Sequence, residues 1–125
     1  MLRTTRRADR DRGMVTAETA LALCGLVIVT LAMVWVVSVV ALQARCTDAA
    51  RDTARAVARG ESLAVSREAG RRSAPAGASI VTRVRGDLAT VEVNVDARPP
   101  WPALAHLPPV TVGARAVVAL EPGSP

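Results

Sequence analysis

Residues 19–42 form a run of 24 positions without a charged side chain, dominated by Leu, Val and Ala. Eighteen or more such residues in a row predict a transmembrane helix, because only a helix satisfies its own backbone polar groups in lipid. At about 1.5 Å per residue the run reaches roughly 36 Å, enough to cross a hydrocarbon core of about 30 Å with some tilt. That segment removes a fifth of a 125-residue chain from any water-soluble core.

The flanks orient the helix. Residues 1–13 carry five arginines (3, 6, 7, 10 and 12), against three (45, 51 and 55) just after the run. The positive-inside rule therefore predicts a cytoplasmic N-terminus, a single pass, and an extracytoplasmic C-terminal portion. The formal net charge of +5 does not predict a nucleic-acid partner. Without residues 1–13 it falls to +2, and no aromatic platform accompanies the arginines. The basic residues are all Arg, Phe and Tyr are absent, and Ile occurs twice, a bias of GC-rich coding that carries no chemistry.

Past the run, Leu42, Cys46, Ala49, Thr53 and Val57 are spaced 4, 3, 4 and 4, on one helical face. Arg51, Arg55 and Arg59 form a second stripe with Asp48 and Asp52 beside it, and no Pro or Gly interrupts residues 41–59. Gly60 predicts an end or kink, residues 61–72 a further short helix, and residues 73–77 its close. From Ser79 the period changes to two. Ile80, Thr82 and Val84 alternate with Val81, Arg83 and Arg85, and Gly86-Asp87 is a two-residue turn candidate. Val91, Val93, Val95 and Ala97 then share one face of a second strand. Val110, Val112, Ala114, Ala116, Val118 and Leu120 face inward on a third. Residues 99–109 between them hold too many prolines to pair and predict a loop. The expected fold is α+β: a long N-terminal helix packed by its outer half on a small three-stranded antiparallel sheet. Residues 121–125 are expected to fray.

The two cysteines are no disulfide framework. On one helix Cys24 and Cys46 stand about 33 Å apart, beyond bridging distance. A small buried hydrophobe is the favoured reading of both, ahead of an intermolecular disulfide through Cys46. The lone His106 lies in the Pro-rich loop, and no metal spacing, phosphate loop or catalytic motif occurs. Composition and motifs therefore predict no enzyme, no cofactor and no metal. Trp101 is expected to pack on the sheet, and Trp35 to meet lipid or another helix.

One constellation carries function. Gly13 ends the Arg-rich segment, Met14 follows, and Glu18 stands at the threshold of the apolar run. A carboxylate there is costly to bury unless paired or hydrated. It can serve the first helical turn electrostatically, or pair with the amino terminus that a cut after Gly13 would create on a neighbouring subunit. An ordinary secretory signal has an apolar region of about 7–15 residues and a small-residue cleavage site, which this run lacks. A lipoprotein anchor at Cys24 would be preceded by Leu23 rather than a small residue.

The segment from Arg12 through Gly13, Met14 and Glu18 to Ala20 resembles the start of TadE-like minor pilins (pseudopilins) of the tight-adherence type IV pilus, actinobacterial ones in particular. Thr19 departs from the pattern, since many members have an aromatic residue after the glutamate. The resemblance covers the leader, the membrane helix and its Ala/Arg-rich continuation. It implies a prepilin-type leader over residues 1–13, cleaved between Gly13 and Met14 by a prepilin peptidase. It implies an N-terminal helical region over 14–72, an extracytoplasmic β domain over 73–125, and an assembly role for Glu18. Implied partners are the peptidase, other pilin subunits, the assembly machinery and membrane lipid. The competing expectation is an unprocessed single-pass protein whose outer domain binds a partner. Initiation at Met14 would also leave a chain without a leader.

Overall fold

The structure, a computed structural model, describes the backbone of residues 2–120 and the side chains of residues 12–120. The expected fraying of residues 121–125 lies outside the described residues. The chain divides into two units, residues 1–36 and 37–125, and one helix, α1 (Leu2–Ala58), contributes to both.

In the first unit α1 shows no break at Gly13, so the segment read as a leader is helical in backbone and continuous with the apolar run. Met14, Leu21, Leu26 and Ile28 are all more than half exposed, and the helix is long and apolar enough to cross a membrane. Among the described residues its threonine hydroxyls are internally satisfied. Thr16, Thr19 and Thr30 donate to the carbonyls of Arg12, Val15 and Leu26 at 3.0, 2.9 and 2.8 Å, which a lipid-facing helix requires.

The second unit is the α+β layer expected from the sequence. Cys46, Ala49, Ala50, Thr53, Ala54, Ala56 and Val57 of α1 are buried, the face the spacing marks together with the alanines beside it. Gly60, at φ 78°, ends the helix. Ser62 caps α2 (Leu63–Ser73), its Oγ accepting from the Val65 N–H at 3.3 Å. The chain then forms a meander of β1 (Ser79–Arg85), β2 (Leu88–Ala97) and β3 (Val110–Ala119), in the order β1-β2-β3. Arg85 pairs with Leu88 across Gly86-Asp87, and Gly86 alone of the two turn residues has positive φ, 56°, as a type II′ turn requires.

Central β2 presents Ala89, Val91, Val93, Val95 and Ala97 to the core, and all five are buried. With no Phe or Tyr to fill space, the core closes by approach. The buried α1 positions are mostly alanines, and each fully buried valine of β2 contributes about 1.5–3 kcal/mol. The edges are less covered. Val112 is buried, and Ala114, Ala116 and Val118 are half-buried as their inward register predicts. Val110, expected inward, is 49% exposed, and Val84 of β1 is 47% exposed, because each lies near an end of an edge strand. The loop after β2 contains one 3-10 turn, η1 (Pro102–Leu104).

Candidate processing and assembly segment

Gly13, Met14 and Glu18 lie on the first turns of α1 whose side chains are described. Met14 and Glu18, four residues apart, share one helical face. Glu18 is exposed and makes no salt bridge among the described residues. Nothing lies within 4 Å of the position a Cβ would take at Gly13, so that glycine meets no packing demand. Its residue type is free to serve another purpose. Arg12 and the glycine precede an apolar stretch whose carboxylate, Glu18, makes no salt bridge among the described residues.

The opposite end of the charged inventory sits on the head. Arg45, Asp48, Arg51, Asp52, Arg55, Arg72 and Ser73 line a shallow surface cleft of about 420 Å³. Within it the Ser73 hydroxyl donates to the Asp52 carboxylate, which ties α2 to α1. On the outer sheet face Glu92 receives Arg83 Nη1 at 3.0 Å and Arg115 Nε at 3.1 Å, one guanidinium from each edge strand. The Arg115 guanidinium holds the Glu92 carboxyl below its ordinary value; Arg83 adds to this, and partial burial opposes it. Sequence spacing placed these residues on outward positions but did not join them. The β2–β3 register, which sets Glu92 opposite Arg115, passes through a long loop.

Cys46 is fully buried, and burial pushes its thiol up from the ordinary value. That agrees with a packed small hydrophobe and shields it from a partner thiol in the folded head. His106 is exposed, and Trp101 is half-buried. Among the described residues no three His, Cys, Asp or Glu side chains converge as metal ligands.

No family model matches the chain, and no solved structure matches it. Among curated proteins it is similar to the Mycobacterium tuberculosis protein named Apoptosis inhibitor Rv3655c, 34% identical over 107 residues, which cover 86% of this chain and 79% of that protein. A match of that length exceeds residues 37–125, so it takes in part of α1 before Val37 as well as the head. The chain therefore belongs to the family of the mycobacterial protein named Apoptosis inhibitor Rv3655c.

Proposed function

We propose that this protein is a TadE-like minor pilin, held in the membrane by α1, cut between Gly13 and Met14 by a prepilin peptidase, and built into or priming a type IV filament. The observation that carries the reading is the order of features along one helix. An exposed apolar stretch with Glu18 at its start passes into a face that packs beneath a small sheet. A subunit of a helical filament needs those two halves: one to associate with other helices after leaving lipid, the other to display a folded head. Cleavage at Gly13 requires the helix to open locally, and glycine lowers that cost by about 1 kcal/mol relative to alanine. The N-terminus so created lies at Met14, one helical turn from Glu18. In a staggered bundle Glu18 neutralises the amino terminus of a neighbouring copy or related subunit and sets the axial register.

Replacing Glu18 with Ala tests the assembly role. The variant is expected to be cut normally yet be lost from sheared filaments; wild-type incorporation contradicts the pairing and leaves Glu18 as a helix-dipole partner. The name of the mycobacterial relative favours a second reading. There the chain stays anchored and unprocessed, and its head binds a partner in a death-signalling route. An unprocessed membrane form with no filament association supports that reading over the first.

A further inference from the structure

The course of the chain in the second unit decides which end of the sheet lies near the membrane. From Gln43 to Ala58, α1 leads away from the apolar run. The turn at Gly60 reverses the chain, with the Gly60 and Glu61 N–H groups donating to Val57 and Ala56. α2 returns along α1. A Cβ on Gly70 would lie 3.0 Å from the Ala49 carbonyl oxygen, and Ser73 reaches Asp52. β1 starts from that returned end, Ile80 Cδ1 lying 3.3 Å from the same Gly70 position, and packs on α2. A connection as short as residues 74–78 lets a strand pack on its preceding helix only by doubling back. β1 therefore leads away from the membrane end, β2 returns to it and β3 starts from it. The Gly86-Asp87 turn is at the far end of the sheet and the 98–109 loop at the near end.

One contact and one burial pattern support this placement. Gln43, the first residue past the apolar run, donates its Nε2–H to the Gly113 carbonyl at 2.9 Å. Gly113 is three residues into the register that starts at Val110, about 10 Å of strand. Val39 and Leu42 are half-buried, whereas Val37, Val40 and Ala41 around them are exposed, so one side of the last turn of the apolar run is partly covered just before Gln43. The loop thus begins within about 10 Å of Gln43, on its membrane side, near the place where hydrocarbon gives way to headgroups.

Its chemistry suits that level. Residues 99–109 hold five Pro, two Leu, two Ala, one Trp and one His, with no Asp, Glu, Lys or Arg. Leu104 and Leu107 are 37% and 42% exposed, and Val110 beside them is 49% exposed. Five prolines remove backbone donors that lipid could not satisfy. Arg98 ahead of the loop and Arg45 on α1, both exposed, can lay their stems on the apolar surface and hold their guanidinium groups among phosphates.

We propose that the loop 99–109 is a second membrane contact, seated in the interfacial layer of the bilayer face that carries the head. The contact fixes the head's tilt and rotation on the membrane, which one helix by itself leaves open, and it must release when the subunit leaves lipid.

The full chain in phosphatidylcholine vesicles provides the test, with acyl chains brominated near the headgroup or near the methyl end. Trp35→Phe leaves Trp101 as the reporter, and Trp101→Phe leaves Trp35. Trp101 is expected to lose most of its emission to shallow bromines and little to deep ones. Leu104→Asp with Leu107→Asp should restore that emission while leaving the circular dichroism and melting of the head unchanged. Trp35 quenched with Trp101 unquenched overturns the proposal while leaving the membrane helix in place. So does a Trp101 signal that depends on protein-to-lipid ratio, which would mark a second copy as the occupant. Trp101 quenching that survives both Asp substitutions also overturns it. If Trp35 is not quenched either, the membrane reading falls, and this contact with it.

Discussion

Gly70 of α2 lies so close to Thr53 of α1 that a methyl group on it would overlap the Thr53 hydroxyl. That hydroxyl is buried and donates to the Ala49 carbonyl at 2.8 Å, so withdrawing it would break that hydrogen bond. The hairpin of α1 and α2 is therefore closed by a glycine that has ordinary helical φ and is required for space alone.

Gly70→Ala sets two effects against each other. Helix propensity gains about 1 kcal/mol, whereas overpacking a tight contact costs about 1–3 kcal/mol. The neighbouring Ala49 carbonyl oxygen is backbone and does not yield, so net destabilisation is expected in thermal melts of the full chain in detergent. Adding Thr53→Ala to Gly70→Ala should recover part of the loss. Equal melting of Gly70→Ala and wild type contradicts the packing.

Glu92 links the three strands through Arg83 and Arg115. A carboxyl depressed in the folded state contributes stability above its unfolded value and loses it as pH falls through the folded one. The melting temperature of wild type should fall on acidification below the ordinary carboxylate range. Glu92→Gln should start lower at neutral pH and show a shallower acid slope. Parallel pH profiles for the two proteins contradict the clamp.

Topology is testable at the far end of the sheet. Native Cys46 is fully buried, so it is a poor reporter, and Asp87→Cys at the exposed β1–β2 turn supplies a better one. An impermeant thiol reagent on wall-stripped cells should label Asp87→Cys without lysis. Labelling only after lysis would place the head in the cytoplasm.

Much of this architecture was legible because it is periodic. The 3.6-residue stripe through Cys46, Ala49, Thr53 and Val57, and the alternation through Val91, Val93 and Val95, each mark a buried face. Gly86 marked its turn because a two-residue hairpin demands positive φ there. What escaped depends on neighbours distant in sequence. Val110 has the pattern of a core residue yet is exposed, since it lies near an end of an edge strand. Gly70 reads as an ordinary small residue until α2 is laid on α1. Gly113 is similar: a Cβ there would strike the Asn94 side chain across the β2–β3 register. The candidate processing segment was legible only as a sequence, because around Gly13 the structure adds a continuous helix and open space.

Cleavage after Gly13 is the central claim, and the intact mass of the membrane-extracted protein tests it most directly. Co-expressed with a prepilin peptidase, the 13.0 kDa chain should lose the mass of residues 1–13 and begin at Met14. Without the peptidase, or with Gly13→Leu, it should keep its full mass. A full-length wild-type chain in the presence of active peptidase, or a Gly13→Leu variant trimmed to the same mature mass, contradicts the account.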